Sequence, residues 1–362
     1  MKTLTMRTAK VLSLAGLLSM ALVACDKKEP QHDSEAADAG KPTAKSKAET
    51  DEPDLAQAID AVADRRPTGG AAAGGPPPNG IFGPGEADKA ALKGAPATLT
   101  LGSDGAEPRV LLGPGPKPGM KRSGTADLAT QSDPQQGAIP MQFNISLETQ
   151  KPKVDSDAGA PPITVVTKVT AAKINAPSVP ADLTAAVGKL RGSIVQYQVG
   201  PDGVAGNAHA EIPKTVDPGF RDPVQALSDL LVGITLPFPT KPVGVGAFWM
   251  VTTRDVVMGL DVVSYRLVKV EKVEGNVLSL SLNTKRYAAS PAFELEGLPP
   301  DAPKTMSEFR TQSEGKLTFA AGDPFPKSCE VQSAIGAALG TADPKQRAMV
   351  QIQTRASLSL SP

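Results

Sequence analysis

Residues 141–148 have the sequence MQFNISLE, and residues 277–282 have the sequence VLSLSL. Apolar and polar side chains alternate strictly in the first stretch and almost strictly in the second. Successive side chains of a β-strand point to opposite faces, so each stretch has one apolar face and one polar face. This pattern is typical of antiparallel strands that pack one face on a core and expose the other to water.

The same period-two alternation recurs from residue 98 to the end of the chain. We therefore predict a mainly β fold, built as antiparallel curved sheets or as a sandwich, with one or two packed helices. Thr98–Leu101 and Arg109–Leu112 are predicted to form a hairpin. The other strands are predicted at Ile163–Ile174, Ser193–Val199, Val204–Ile212, Gly246–Thr253, Leu260–Val270, Glu308–Ala320, Ser328–Gly336 and Ala348–Leu360.

Two stretches have helical periodicity instead, at Ala181–Lys189 and Asp222–Leu231. In the second, four apolar residues fall on one stripe and Gly233 is a plausible C-terminal stop. We divide the chain into a signal peptide (1–24), a lipidated cysteine with a disordered tether (25–95), a first β-rich half (96–220), a connecting helix (221–235) and a second β-rich half (236–362).

The two β-rich halves are similar in layout. In each, a strand ends near a Lys-Val pair, Lys168-Val169 or Lys269-Val270, and a glycine-led hairpin follows. An internal duplication explains this similarity. Any series of hairpins is also partly self-similar, so both explanations stay open.

The N-terminal residues have the layout of a signal peptide. Lys2, Arg7 and Lys10 precede an uncharged stretch, Val11–Val23, and small residues follow. A membrane-spanning helix needs about 20 apolar residues, which this stretch does not provide. An ordinary signal peptide in which Cys25 occurs by chance remains an alternative to a lipoprotein signal peptide.

Leu22-Val23-Ala24-Cys25 resembles a bacterial lipobox. The resemblance implies that the Cys25 thiol carries an acyl chain such as palmitate and that the chain is cut before it. The mature protein would then be held on a membrane of the cell envelope, facing the periplasm. Asp26 resembles an inner-membrane retention signal of enteric bacteria and so favours the inner membrane.

Residues 26 to about 95 are predicted to be a tether. The stretch from Pro67 to Gly85 is dominated by glycine, alanine and proline. Such a composition buries too little apolar surface to offset the entropy lost on ordering the chain.

Residues 97–362 resemble a family of uncharacterised β-rich bacterial envelope lipoproteins. The resemblance rests on Gly246-Ala247-Phe248-Trp249, on Tyr265-Arg266-Leu267-Val268-Lys269-Val270 and on Leu190-Arg191-Gly192. It implies a β-rich fold and no particular chemistry. The predicted curved sheets with inlaid helices also resemble carriers that shield lipid tails in the bacterial envelope.

Composition argues against several classes of function. The signal segment holds three of the 38 basic residues and none of the 38 acidic ones, so the mature chain has a net charge of −3 and no basic cluster for nucleic acid. Once Cys25 is acylated, Cys329 is the remaining thiol, which predicts neither a metal site nor a cofactor. His209 has no nucleophile motif. Glu294 and Glu296 have the spacing of a carboxylate pair for sugar hydrolysis, but they lie beside proline-rich sequence with no aromatic platform for a sugar. Asp255, Asp261, Glu271 and Glu274 are spread along predicted strands and fit a solvated face. We expect no catalytic residues.

Phe248 and Trp249 are the residues most suited to contact a ligand or partner. They are neighbours on one predicted strand, so one belongs to the core and the other can line a groove. The sequence thus predicts a membrane-anchored lipoprotein without enzymatic activity that binds a hydrophobic ligand or an envelope protein. The alternative is a purely structural or assembly lipoprotein with no ligand pocket.

Overall fold

The computed structural model describes residues 77–113, 115–132, 137–151, 161–257, 259–293, 304–340 and 347–362. The predicted signal peptide, Cys25 with its lipobox, Asp26 and the tether up to residue 76 lie outside the described residues. Glu294 and Glu296 lie outside them as well.

In this part of the chain, twelve strands form one curved, unclosed sheet in which all neighbours are antiparallel, in the order β1-β7-β8-β9-β10-β11-β12-β2-β3-β4-β5-β6. The mainly β prediction is confirmed. The sheet is continuous rather than a sandwich, because β12 pairs with β2. The predicted hairpin of Thr98–Leu101 with Arg109–Leu112 is wrong: the strand at Thr98 pairs with the strand at Phe248, and Val110 makes an isolated bridge to Val243. The strands are β1 (Thr98–Ser103), β2 (Lys121–Gln131), β3 (Ile139–Gln150), β4 (Ile163–Ile174), β5 (Ile194–Val199), β6 (Ala205–Glu211), β7 (Phe248–Val257), β8 (Leu260–Glu274), β9 (Val277–Ala288), β10 (Met306–Ala320), β11 (Ser328–Gly340) and β12 (Arg347–Ser361).

Three α-helices accompany the sheet in the described residues: α1 (Glu86–Ala90), α2 (Ala181–Gly188) and α3 (Arg221–Ile234). The predicted stripe of α3 is buried, with Val224 and Leu227 fully covered. The helix continues through Gly233 to Ile234, because the Ile234 side chain is itself part of the core.

The segment that follows α3 joins strands near opposite edges of the sheet. Trp249 on β7 donates its indole N–H to the Pro237 carbonyl, with 3.2 Å between nitrogen and oxygen. The Tyr197 hydroxyl on β5 lies 3.3 Å from the Thr235 hydroxyl. β7 and β5 are each second from an edge, so the sheet wraps around one core, and the face toward α3 is its inner face. Phe238 adds edge-on ring contacts to Trp249 at 6.5 Å and to Phe319 at 5.1 Å.

Residues 79–82 insert between β9 and β10 where those strands diverge. The Ala288 amide donates to the Gly80 carbonyl, and the Phe309 amide donates to the Asn79 carbonyl, both at 2.9 Å. Ile81 packs with the inner-face residue Phe309, while Phe82 packs in a separate apolar cluster with Tyr265 and Tyr287. The predicted tether therefore extends too far along the chain, because Ile81 and Phe82 are core residues.

Helix α1 is fixed to the outer face of the sheet by Arg254 on β7. Its guanidinium pairs with Asp261 at 2.9 Å and also with Asp88 of α1. Hydrogen bonding from Arg254 holds the pKa of Asp261 below its usual value. This ion-paired cluster explains why the short α1 keeps its place on the sheet despite having only five residues.

Gly80→Ala is expected to destabilise the fold far more than Gly94→Ala. Both glycines have φ near +77°, where alanine costs about 1–2 kcal/mol. A Cβ at Gly80 would lie 1.5 Å from the Phe309 carbonyl oxygen, whereas one at Gly94 would meet nothing within 4 Å. We expect an additional loss of at least about 3 kcal/mol at Gly80, measured by chemical denaturation. Equal losses at both positions would contradict the insertion of residues 79–82 into the sheet.

Candidate functional site on the inner face of the sheet

The two aromatic residues singled out by the sequence lie on opposite faces of β7. Trp249 is fully buried in the core and contacts Phe238 and Pro237 of the segment after α3. Phe248 is partly exposed and packs beside Met250 and Leu267 on the outer face. Its ring covers Gly102, where a Cβ would come within 2.0 Å of the ring. A ligand on the inner face would therefore not touch Phe248.

The other candidate reactive residues are far from any reactive arrangement. His209 lies on the edge strand β6, with its side chain 52% exposed and its nearest carboxylate, Glu211, at 3.8 Å. Burial raises the pKa of the Cys329 thiol to about 12, so the thiol stays protonated and packs as an apolar group. The described residues contain no group of three or more side chains able to hold a metal ion. None of the described helices is long and apolar enough to span a bilayer.

The inner face carries a polar band between two apolar regions. One region is the core under α3, which includes Val268 and Leu282. The other surrounds Phe309 and Ile81 at the opposite ends of the strands. Because side chains alternate, the inner-face positions between these regions are fixed by the strand register. They are Thr253, Asp255, Ser264, Arg266, Thr284 and Arg286 on β7, β8 and β9.

Two arginines form the centre of this polar band. Arg266 lies opposite Thr284, and Arg286 lies opposite Ser264, so the arginines are diagonal neighbours on one face, with about 7–8 Å between their Cα atoms. Arg266 is 3% exposed and pairs with Asp255 at 3.5 Å. Neither Nε atom has a hydrogen-bond partner among the described residues, although both are buried.

The charges around the two arginines act on Arg286 in opposite directions. Burial lowers the pKa of Arg286, and the charge of Arg266 lowers it further, while Asp229 and Asp255 oppose the shift. Asp229 comes from α3, and burial raises its pKa despite a hydrogen bond from Gln225. Asp229 and Asp255 are therefore the described carboxylates whose charges act on Arg286.

Beyond the band, four isoleucines lie on the inner face without full burial. Ile335 lies opposite Ile352, and both are partly exposed. Ile139 is 58% exposed although it shares a face with the fully buried Phe143. We call this set the inner strip, and it consists of Ile139, Ile174, Ile335 and Ile352 on β3, β4, β11 and β12. The sequence pattern predicts the strands but does not show which parts of an apolar face stay uncovered.

An open groove of about 500 Å³ lies on the opposite, outer face. Most of its lining residues have polar side chains, including four glutamines contributed by β2, β10, β11 and β12. They are Gln131, Gln312, Gln332 and Gln353. This groove has neither the apolar lining nor the position between sheet and helix that a site for a hydrophobic ligand requires.

Neither a protein-family model nor a curated protein matches the chain. Among solved structures, it is similar to one described as "lipid-protein interactions in lipovitellin", with 13% sequence identity and a TM-score of 0.39. The alignment covers 68% of this chain and 25% of that chain. This chain therefore spans about a quarter of the lipovitellin chain, and a similarity at this level supports no conclusion about function.

Proposed function

We propose that this chain is a lipid-anchored envelope protein that binds a hydrophobic ligand on the inner face of its sheet. The observation that carries the proposal is the inner strip. Its isoleucines lie on the face that elsewhere forms the core, yet they are exposed or only partly buried. Covering apolar surface releases about 25 cal/mol per Å², so a hydrophobic molecule on the strip is favoured over water.

The position of the strip supports the same proposal. Ile174 borders the core under α3, and Ile335 borders the cluster around Phe309. A ligand on the strip would thus continue two apolar regions that the protein already buries. Exposed apolar surface that is continuous with a core is a common feature of ligand-binding grooves.

The sequence supports an anchor for the proposed binding protein. The lipobox pattern of Leu22, Val23, Ala24 and Cys25 follows a short apolar stretch. An acylated Cys25 would keep the protein at a membrane facing the periplasm, and Asp26 favours the inner membrane. The hydrophobic ligand or an envelope protein would then be encountered at that membrane.

A purely structural or assembly role without a pocket is the second candidate. The packing under α3 favours it, because Val224 and Leu227 are fully buried against the sheet. A core filled in this way needs no ligand for its stability. The two candidate functions differ in what covers the inner strip. A binding protein would cover it with a hydrophobic ligand, whereas a structural protein would cover it with a protein partner or leave it exposed.

Cys25→Ser is expected to release the protein from membranes, because the serine hydroxyl cannot take the thioether-linked lipid. The matched control is Cys329→Ser, which changes the buried cysteine of the folded part. Fractionation of cells expressing each variant, with mass spectrometry of the mature N-terminus, measures the effect. An unmodified Cys25 in membrane-extracted wild-type protein would contradict the anchor.

Ile352→Lys is expected to weaken binding of N-phenyl-1-naphthylamine, a neutral apolar fluorescent probe, at least about tenfold, because an ammonium group in the strip must be desolvated. The matched control is Met349→Lys on the outer face of the same strand, where Met349 is 66% exposed. Fluorescence titration of both variants measures the effect. Wild-type protein that binds no probe would favour the structural candidate.

A further inference from the structure

We propose that Arg266 and Arg286 bind the acidic head group, a phosphate or a carboxylate, of an amphiphilic ligand whose apolar part lies on the inner strip. This inference rests on the proposed function and specifies the ligand class.

The strand register brings the two guanidinium groups to one place. Arg266 and Arg286 occupy neighbouring strands, share the inner face and are diagonal to each other. At about 7–8 Å between Cα atoms, two long side chains can contact one anion placed between their ends. Guanidinium groups present several N–H donors in a planar arrangement that matches phosphate and carboxylate oxygens.

The site contains buried donors for which the described residues provide no acceptor. They are the Nε atoms of Arg266 and Arg286 and the hydroxyl of Ser264. Ser264 lies directly opposite Arg286. A buried donor without a partner is destabilising, and more so when it is charged. Three such groups side by side on one face are expected where a ligand supplies the missing acceptors.

The charges of the site favour an anion over a neutral group. Asp255 is the described carboxylate that pairs with Arg266, at 3.5 Å, and it also accepts a hydrogen bond from Thr253. The two guanidinium charges repel each other. Asp229 of α3 also acts on the charge of Arg286, but no described ion pair joins Asp229 to either arginine. A bound anion would relieve that repulsion.

The register also connects the arginines to the inner strip. The Thr311 hydroxyl donates to the Arg286 carbonyl at 3.1 Å and accepts from the Arg286 amide at 2.7 Å. Thr311 lies opposite Ile335, and Ile335 lies opposite Ile352. Arg286, Thr311, Ile335 and Ile352 therefore form one line across β9, β10, β11 and β12, about 14 Å long at the usual strand spacing. A linear amphiphile along this line would place its acidic end at the arginines and its tail on the strip.

The test compares two ligands with the same tail, dodecyl phosphate and n-dodecanol, by displacement of N-phenyl-1-naphthylamine from the full chain carrying Cys25→Ser. The protein with Arg266 and Arg286 intact is expected to bind dodecyl phosphate at least tenfold more tightly than dodecanol. Arg286→Gln is expected to abolish that preference while leaving the affinity for dodecanol unchanged. The control, Arg310→Gln, changes a guanidinium on the outer face that is 78% exposed and is expected to keep the preference.

A second variant decides the matter if Arg286→Gln does not fold. Asp229→Asn removes a carboxylate that competes for Arg286, so it is expected to raise the affinity for dodecyl phosphate at least threefold and to leave dodecanol unaffected. An unchanged affinity for the phosphate would overturn the proposal.

The remaining outcomes separate this inference from the proposed function. Equal affinity for dodecyl phosphate and dodecanol would overturn the acidic head group and leave the hydrophobic site standing. Binding of neither ligand would overturn both. Inorganic phosphate alone is the third probe, and if it binds as tightly as dodecyl phosphate, the arginines take a free anion and the amphiphile assignment is wrong.

Discussion

The architecture depends on the short segment from Thr235 to Phe238, which holds strands near both edges of the sheet on one core. An unclosed sheet of twelve strands has no hydrogen bonds between its first and last strands to keep it curved. The hydrogen bond from Trp249 to Pro237 and the contact between Tyr197 and Thr235 replace them. Burial of a side chain as large as Trp249 stabilises a fold by about 3–5 kcal/mol relative to alanine, so this core is a strong constraint on the curvature.

That constraint divides the inner face into parts with different physical character. Near α3, the side chains fill the space between helix and sheet, and the helix contributes fully buried residues such as Val224. Further along the strands, the same face carries two arginines whose buried Nε atoms have no partner among the described residues, and then partly exposed isoleucines. A protein selected only for stability gains by replacing such a band with apolar residues of similar volume. The polar band lies beside an uncovered apolar strip, and this combination supports the hypothesis that the inner face binds a ligand.

The local structure could be predicted from the sequence, while the tertiary relations could not. Alternation at residues 141–148 and 277–282 predicts strands because it reports which side chains share a face. It does not report partners, so the pairing of β12 with β2, which joins both halves in one sheet, required the structure. The segment around Ile81 was assigned to the tether because glycine and proline dominate the composition there, although two large apolar residues were enough to place it in the sheet. The sequence does not indicate the pair of arginines, because β8 has apolar residues on both faces and its inner face is therefore ambiguous. The strand register shows that Arg266 and Arg286 lie together on the inner face.

The central claim is that one core, closed by Thr235–Phe238, holds strands from both halves of the chain as a single cooperative unit. Native-state hydrogen exchange with mass spectrometry, at increasing guanidinium concentration, tests it most directly. The account predicts that peptides covering β5 (Ile194–Val199) and β7 (Phe248–Val257) lose protection together, with the same opening free energy. Loss of protection in β5 in a separate, earlier step, with β7 still protected, would contradict it.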